Sequence, residues 1–395
     1  MDYDRFINKR AAGLKPSGIR RFFDLVNEKK DAISLGVGEP DFHTPYVGRD
    51  AATRMIQKGN TQYTPNGGFL RLRELIARYY SERYGLDYDA QKEILVTVGA
   101  SEAIDIALRA TIEYGDEVLI PEPSYVSYCP CVIMAGGVPV GVECPADNGF
   151  RIRAKNLTEK ITDKTKILIL PYPNNPTGGI LEERELEEIA KVCIEKDLLV
   201  ISDEIYSELT YTERGHKSIA SVAGMRERCV VINGFSKAFA MTGWRIGYLM
   251  CPEQLLKPMY KIHQYAIMCA PTASQQAAIA VLENAFEEKF FTVNEMRGEY
   301  DKRRRYLVNE LNAMGLTCFE PQGAFYVFPS VKSTGLSGEA FAETLLEEKN
   351  VAVVPGNAFG ESGNDFIRIS YAYSMKSLIK AITLIKEFVN KQKNI

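Results

Sequence analysis

The chain has 395 residues, a formal net charge of -3 and no basic run that would bind a nucleic acid. It contains no stretch of about 20 consecutive apolar residues, the length needed to cross a bilayer, and its charged N-terminus lacks the apolar core of a secretion signal. We therefore predict a cytoplasmic protein with neither nucleic-acid nor membrane partners, and its length suits two domains.

From about residue 90, short apolar runs alternate with amphipathic segments of helix length. The predicted strands are Ile94–Val98, Glu117–Ile120, Val138–Val142, Ile167–Leu170, Leu198–Ser202 and Cys229–Ile232. Helices are predicted at Ser101–Thr111, with Ser101 as the N-cap, and at Glu182–Glu195. Continuous apolar strands that alternate with helices predict a mostly parallel sheet covered on both faces, which is an α/β fold.

The pattern changes at about Glu283, where a long charged helix is predicted to run through Arg303–Leu311. After it we predict short strands near Cys318 and at Phe325–Phe328, Val351–Val354 and Phe366–Ile369, a helix near Glu339–Glu348 and a closing helix from Ser374. Such a pattern indicates a smaller α+β domain, on which the first forty residues are expected to pack. We place the domain boundary in the helix after Pro271.

The eight cysteines and three histidines do not form a metal-binding pattern. Cys129 and Cys131 lie close together, but no further ligands follow at zinc-like spacing, so reduced thiols and no metal site are predicted. The chain also lacks a P-loop and a G-x-G-x-x-G motif.

One segment, NGFSKAFAMTGWRIG at 233–247, places Lys237 in an apolar, glycine-flanked run with Arg245 eight residues later. A lysine amine attacks a carbonyl only when it is neutral, and apolar surroundings lower its pKa. This pair could therefore hold an aldehyde cofactor covalently through the lysine and a phosphate through the arginine. The alternative for an isolated lysine is a solvated surface charge.

Asp203 and Tyr206 follow directly after a predicted buried strand. Asp203 is therefore expected at the carboxyl edge of the sheet, where open α/β sheets bind ligands. A carboxylate there can pair with a protonated pyridine nitrogen and keep the ring an electron sink, while the Tyr206 phenol could bind the ring's hydroxyl oxygen. The alternative is a helix N-cap aspartate with a packed tyrosine.

Two further loops follow predicted strands. Proline and glycine around Asn175, in PNNPTG at 173–178, force a tight loop that fixes its amide and allows a cis bond before Pro176. At Gly99–Ser101 a strand joins a helix start, and free backbone N–H groups with a hydroxyl make a phosphate seat there. The alternative in each case is a structural turn.

Arg368 and Tyr125 complete the candidate residues. Arg368 alternates with apolar residues in FIRIS at 366–370, and a guanidinium fixed on a strand can bind a carboxylate through two hydrogen bonds. Tyr125 could stack on a heteroaromatic ring. The alternatives are a structural salt bridge for Arg368 and a core position for Tyr125.

These fragments, in this order, resemble the class I aminotransferases of the pyridoxal phosphate fold type I superfamily over nearly the whole chain. The matching motifs are LGVGEPDF at 35–42, YTP at 63–65, NNPTG at 174–178, SDEIY at 202–206, the segment 236–247 and FIRIS at 366–370. Within the family, the chain looks most like the bacterial branch that holds prokaryotic aspartate, aromatic and N-acetyl-diaminopimelate aminotransferases.

The resemblance implies a large domain, residues 46–280, with a mostly parallel seven-stranded sheet flanked by helices, and a smaller α+β domain, residues 281–395, on which the N-terminal segment 1–45 packs. It implies pyridoxal 5'-phosphate as cofactor and a ping-pong exchange of an amino group between an amino acid and a 2-oxo acid. It also implies an obligate homodimer with shared active sites, because Tyr63 would reach into the second subunit.

The resemblance also implies residue roles. Lys237 would bind the cofactor aldehyde and carry the proton, Asp203 would pair with the pyridine nitrogen, and Tyr125 would stack on the ring. The expected ligands of the ring oxygen are Asn175 and Tyr206, those of the phosphate are Ala100, Ser101, Ser236, Arg245 and the partner subunit's Tyr63, and those of the substrate are Arg368, the Gly38 backbone and Asn175.

Three positions depart from relatives in ways that affect specificity. Ser101 stands where some aspartate aminotransferases of this branch carry lysine, and no arginine lies near Tyr265, so no second cation is placed for a side-chain carboxylate. Gly234 replaces a phosphate-binding serine of some relatives. Aromatic, broad or N-acetyl-diaminopimelate specificity stays open. The alternative functions are a carbon-sulfur β-lyase on the same cofactor and a cofactor-binding protein without catalysis.

Overall fold

The computed structural model describes residues 1–16, 18–19, 29 and 32–393. Their strands, in chain order, are β1 (Ile33–Ser34), β2 (Ile94–Thr97), β3 (Glu117–Glu122), β4 (Val138–Glu143), β5 (Thr165–Leu170), β6 (Leu199–Asp203), β7 (Cys229–Gly234), β8 (Gly247–Met250), β9 (Tyr326–Val327), β10 (Val351–Ala352), β11 (Val354–Pro355) and β12 (Ile367–Ser370).

The α-helices of the same residues are α1 (Lys9–Gly13), α2 (Tyr46–Gln57), α3 (Leu70–Tyr84), α4 (Gly99–Thr111), α5 (Tyr128–Ala135), α6 (Ala154–Thr158), α7 (Glu183–Glu195), α8 (Glu253–Ala266), α9 (Thr272–Glu287), α10 (Phe291–Ala313), α11 (Gly338–Lys349) and α12 (Met375–Lys393). None of these helices has the length and apolar character needed to span a bilayer.

The main sheet has seven strands in the order β2-β8-β7-β6-β5-β3-β4. Every strand runs parallel to the others except β8, which is antiparallel to both of its neighbours. The predicted α/β fold with a mostly parallel sheet is therefore confirmed. Strand β6 lies at the centre of the sheet, and it ends at Asp203.

Both faces of this sheet are buried. Successive residues of β6 point into different apolar clusters, Val200 into one and Ile201 into the other. Because each face packs against helices, the central strands β5, β6 and β7 are apolar over most of their length rather than alternating with polar residues. This burial explains why they could be recognised in the sequence as continuous apolar runs.

The C-terminal part builds a second, smaller sheet with the antiparallel order β11-β12-β9. Strand β1 pairs in parallel with β10, so the chain just before residue 35 joins this part of the molecule. A separate apolar cluster fills it, and the change of cluster occurs inside α10, between Val293 and Met296. The division into residues 1–45, 46–280 and 281–395 stays a prediction.

Four local predictions were wrong. The helix predicted from Ser101 begins at Gly99, because the Glu102 carboxylate, not the Ser101 hydroxyl, accepts the Val98 N–H, at 2.5 Å. No strand forms at Cys318, whose backbone N–H and carbonyl both bind the side chain of Asn312.

The other two errors concern where elements end. The segment predicted as one strand at Val351–Val354 divides into β10 and β11, which belong to different sheets. The helix predicted from about Glu283 is two helices, α9 and α10, because Lys289 and Phe290 adopt positive φ angles of 53° and 59° between them.

Candidate active site

A cavity of about 540 Å³ lies at the carboxyl edge of the main sheet, between this sheet and strands β9 and β12. It brings together every predicted site residue except Tyr63. The predicted residues that line it are Gly38, Ala100, Ser101, Tyr125, Asn175, Asp203, Tyr206, Ser236, Lys237, Arg245 and Arg368. Parallel strands end at one edge, so side chains from distant parts of the chain meet there.

Lys237 follows β7 and reaches into this cavity. Its Nζ donates a 2.6 Å hydrogen bond to the carbonyl of Gly38 and lies 5.8 Å from the centre of the Tyr206 ring. Burial lowers the pKa of Lys237 to about 8, with a further lowering from Arg368 and Arg245 that Glu39 and Asp203 oppose. With that pKa about a tenth of the amine is neutral at pH 7, so Lys237 is a competent nucleophile toward an aldehyde.

Asp203 is buried at the end of β6. Its Oδ2 accepts a 2.8 Å hydrogen bond from the Tyr128 hydroxyl, and its Oδ1 accepts one of 3.2 Å from the Ile205 N–H. Burial raises the pKa of Asp203 to about 6, although both hydrogen bonds lower it. The chain after Asp203 forms turns rather than a helix, so the alternative of a helix N-cap is wrong. Its carboxylate is placed to bind a cation in the cavity.

Two tyrosines that the sequence did not single out also line the cavity. Tyr128 binds Asp203, and the Tyr326 hydroxyl lies 2.9 Å from the Tyr206 hydroxyl. A Cβ at Gly38 would collide with the Tyr326 hydroxyl, so a larger residue there would displace Tyr326 from Tyr206. Tyr128 stands three residues after Tyr125, a spacing that could have indicated it, but Tyr326 lies in an apolar run that is typical of a core strand.

Arg368 is a buried cation on β12. Its guanidinium donates hydrogen bonds of 2.9 Å to Asn175 Oδ1 and 2.6 Å to the Gly36 carbonyl, while its buried Nε has no partner. Within the described ranges no carboxylate pairs with it, so the alternative of a structural salt bridge is not observed. A buried, unneutralised guanidinium that faces a cavity is a site for a carboxylate.

The start of α4 and the Arg245 side chain form a cradle at another part of the cavity. Gly99 has a φ of +73°, and a Cβ on it would lie 2.6 Å from Arg245 Nη2. A Cβ on Gly247 would lie 2.6 Å from the Ala100 nitrogen. The first N–H groups of a helix have no partner in a preceding turn and attract anions. With Arg245 and Ser236 beside them, they can hold a phosphate.

Tyr63 lies outside the cavity and is 81% exposed. Its loop is nevertheless fixed, since Gln275 donates to Thr64 Oγ1 at 2.9 Å and accepts the Phe69 N–H at 2.8 Å. Tyr63 therefore does not line the cavity of its own chain.

Residues 30–385 match the model of the family described as aminotransferase class I and II. The chain belongs to this family. It is 45% identical over 380 residues to an aspartate aminotransferase of Pyrococcus abyssi, covering 96% of this chain and 97% of that protein. It is 43% identical over 387 residues to aromatic-amino-acid aminotransferase 2 of Thermococcus litoralis, covering 98% and 99%. The crystal structure of an aromatic aminotransferase from Pyrococcus horikoshii superposes with a TM-score of 0.89 at 44% identity, covering 95% of this chain and 100% of that chain.

The protein is thus an aminotransferase that depends on pyridoxal 5'-phosphate and moves an α-amino group from an amino acid to a 2-oxo acid in two half-reactions. The comparisons do not favour the alternative carbon-sulfur lyase. When bound, the cofactor supplies an electron sink for the carbanion at the substrate's α-carbon. The cavity fits this cofactor, since its residues include Lys237 with a lowered pKa, the buried Asp203 and the phosphate cradle at the start of α4.

Proposed function

We propose that the aminotransferase acts on amino acids with uncharged side chains, aromatic ones among them. The observation that carries this proposal is the distribution of cations in the cavity. In the part of the chain that the structure describes, the lysines and arginines that line it are Lys237, Arg245 and Arg368. Each of them has a place in holding the aldehyde, the phosphate or the α-carboxylate, so among the described residues of the lining none is left for a second carboxylate.

The rest of the wall supports the same substrate class. Ile19, Val37 and Ile104 add apolar surface, and the Tyr326 ring packs 4.4 Å from the Arg368 guanidinium carbon. Burying a side-chain carboxylate against these groups without a partner is costly. An uncharged side chain gains from apolar contact instead.

The proposed residue roles are those that the family resemblance implies, and the fact that all these residues except Tyr63 line one cavity supports them. Lys237 holds the aldehyde and transfers the proton, and Asp203 holds the ring nitrogen. The ring oxygen is bound by Asn175 and Tyr206, and Tyr125 stacks on the ring. Ala100, Ser101, Ser236 and Arg245 bind the phosphate together with the partner subunit's Tyr63, and Arg368 with Asn175 and the Gly38 backbone binds the substrate.

A homodimer with shared sites is part of the proposal. Tyr63 projects outward, and its loop bonds to a segment with exposed apolar side chains: Asn66 Nδ2 donates to the Met268 carbonyl at 2.7 Å. Tyr265, Ile267 and Met268 are 87%, 43% and 45% exposed in the single chain. A contiguous exposed apolar patch marks an interaction surface.

We also place the enzyme in the cytoplasm, since its eight free cysteines suit a reducing compartment.

The substrate proposal is tested by single half-reactions of the cofactor-loaded enzyme. The enzyme is mixed separately with phenylalanine, tyrosine, leucine, aspartate and glutamate. The signal that is followed is the loss of the absorption of the lysine-bound cofactor. We expect phenylalanine to react at least about tenfold faster than aspartate at low concentration, a ratio typical of one unpaired buried group. A faster reaction with aspartate would overturn the substrate class and leave the aminotransferase activity in place. Lys237→Ala enzyme is the control, and it should release no 2-oxo acid with any of them, because it lacks the group that transfers the proton.

A further inference from the structure

His263 is a buried residue of α8 that has none of the proposed roles in binding the cofactor or the substrate. Its side chain is 0% exposed, and its two ring nitrogens face oxygen atoms on two different elements. Nδ1 lies 2.6 Å from Oε1 of Glu102, and Nε2 lies 2.9 Å from the carbonyl of Asn66. An ionised carboxylate and a carbonyl can only accept hydrogen bonds, so with Glu102 ionised both contacts are satisfied when both ring nitrogens donate. A neutral imidazole has one N–H, and only the doubly protonated ring has two.

The two acceptors belong to the two segments that are proposed to bind phosphate, the start of α4 and the loop that carries Tyr63. Glu102 follows Ser101 in the first turn of α4, and its other oxygen accepts the Val98 N–H, so it fixes the backbone at the phosphate cradle. Asn66 stands in the Tyr63 loop, which we define as residues 60–69 between α2 and α3. His263 is therefore a bridge between the helix start that lines one cavity and the loop that carries Tyr63.

Charge adds a second reason for the bridge. An unpaired Glu102 carboxylate one residue after Ser101 would repel a phosphate dianion at the start of α4. A protonated ring at 2.6 Å neutralises that carboxylate. The helix start thereby keeps the positive character that anions bind.

We propose that His263, as an imidazolium between Glu102 and the Asn66 carbonyl, is a positioning residue for the cofactor phosphate. It ties the phosphate cradle of its own subunit to the Tyr63 loop, which serves the cradle of the other subunit. This inference rests on the proposed function, because it needs a phosphate at α4 and a homodimer that shares Tyr63.

The first test measures the dissociation constants of pyridoxal 5'-phosphate and of pyridoxal, which lacks the phosphate, with cofactor-free protein. His263→Gln has one donor nitrogen for two acceptors that lie on opposite sides of the ring, and it leaves Glu102 charged. We expect the constant for pyridoxal 5'-phosphate to rise on the order of tenfold, as for other hydrogen bonds to charged groups, and the constant for pyridoxal to stay within about twofold. The double variant His263→Gln with Glu102→Gln should regain part of the affinity, because the unpaired charge is removed.

His216→Gln is the matched control. The His216 side chain is also largely enclosed, and its Nε2 lies 3.0 Å from Glu204 Oε2 without hydrogen-bond geometry. It stands in the segment between β6 and β7 and belongs neither to α4 nor to the Tyr63 loop. This variant should lose thermal stability yet keep the phosphate-dependent affinity. The proposal would be overturned if His263→Gln lost the same affinity for pyridoxal as for pyridoxal 5'-phosphate. It would also be overturned if His216→Gln lost as much affinity for pyridoxal 5'-phosphate as His263→Gln does. In either case His263 would have only a structural role.

The second test needs no variant, so it holds even if His263→Gln does not fold. Nitrogen-15 NMR of histidine-labelled wild-type enzyme resolves at most three side chains, since the chain has three histidines. We expect two protonated ring nitrogens for His263 at neutral pH, and a neutral ring would overturn the proposal. If aspartate instead reacts faster than phenylalanine, the proposed substrate class fails whatever the state of this ring.

Discussion

The hydroxyl of Tyr128 donates a 2.8 Å hydrogen bond to Oδ2 of Asp203, at the centre of the sheet's carboxyl edge. Tyr128 begins α5 and Asp203 ends β6, so the contact joins two elements that are 75 residues apart in the chain. The bond lowers the carboxyl pKa, which burial raises to about 6. Tyr128 therefore keeps Asp203 ionised and ready for a cationic ring nitrogen.

Tyr128→Phe should raise the pKa of Asp203 above its value of about 6 in the cofactor-free protein. A hydrogen bond to a charged group contributes about 1.5–3 kcal/mol, which corresponds to a shift of about one to two pH units. The acid limb of cofactor binding, measured by absorption from pH 5 to 9, should move upward by that amount. Tyr88→Phe is the control, because the buried Tyr88 hydroxyl has no partner. A limb that does not move would show that Tyr128 has no influence on the charge of Asp203.

The stability of the cofactor-free protein should depend on Asp203 with a definite sign. Burial raises the pKa from 3.8 to about 6, so this group favours folding below pH 3.8, and that contribution is lost as the pH rises through 6. Asp203→Asn stays neutral at every pH. Its free energy of unfolding, measured in urea at pH 8, should therefore exceed that of wild type by on the order of 3 kcal/mol. Near pH 4 the two free energies should differ little. A variant that is less stable than wild type at pH 8 would contradict this. Exposed Asp163→Asn is the control.

Lys237 should react with amine reagents at a lower pH than surface lysines do. Its pKa of about 8 makes the neutral amine abundant in the cofactor-free protein at pH 8. Peptide mapping after brief acylation at several pH values should give a midpoint near 8 for Lys237, with Lys155 as an exposed reference, at 83% side-chain exposure. If acylation of Lys237 increases over the same pH range as acylation of Lys155, burial does not lower the pKa of Lys237.

Parts of this site could be predicted because they stand where strands end. Asn175 and Lys237 come after β5 and β7, and Asp203 ends β6. The apolar residues in front of all three are easily recognised. Tyr326 could not be assigned, since a tyrosine in an apolar run has the same pattern whether its hydroxyl meets Tyr206 or the core. Strand β8 was not predicted either. Its four residues begin two positions after Arg245, and antiparallel insertion between β7 and β2 depends on the completed sheet.

The limits in the smaller domain have a different physical cause. A side chain rather than a backbone partner decides the structure at Cys318, where Asn312 binds both the backbone N–H and the carbonyl. Such a contact satisfies the polar backbone without a strand. Local apolar patterns contain no information on that competition, so the predicted strand near Cys318 was wrong.

Arg368→Lys should weaken substrate binding more than it slows the bound substrate. A lysine keeps the charge but loses the planar pair of donors that binds a carboxylate at two points. We expect KM for every reactive amino acid to rise about tenfold or more, with a smaller change in kcat. The control is Arg109→Lys on the exposed face of α4, where the arginine forms a surface pair with Asp105 at 3.4 Å. An unchanged KM for all substrates would exclude Arg368 from carboxylate binding.

Complementation between two defective chains tests whether Tyr63 serves the other subunit. Lys237→Ala lacks the nucleophile, and Tyr63→Ala should weaken the phosphate site of its partner. In a mixed dimer, the site built around the intact Lys237 receives the partner subunit's intact Tyr63, so one native site is restored. Mixing the two variants under conditions of subunit exchange, at limiting cofactor, should give more activity than either alone, up to about half of the wild-type value per mixed dimer.

The matched mixture uses Lys237→Ala with Tyr114→Ala, since Tyr114 is also exposed, at 91%, but lies outside the Tyr63 loop. Tyr114→Ala alone should be as active as wild type, so this mixture should show no gain from exchange beyond dilution. A mixture of Lys237→Ala and Tyr63→Ala that stays at the level of its components, although the chains exchange, would mean that Tyr63 completes no second site. The exposed loop would then have to be explained by packing alone, because Tyr63 does not reach the cavity of its own chain.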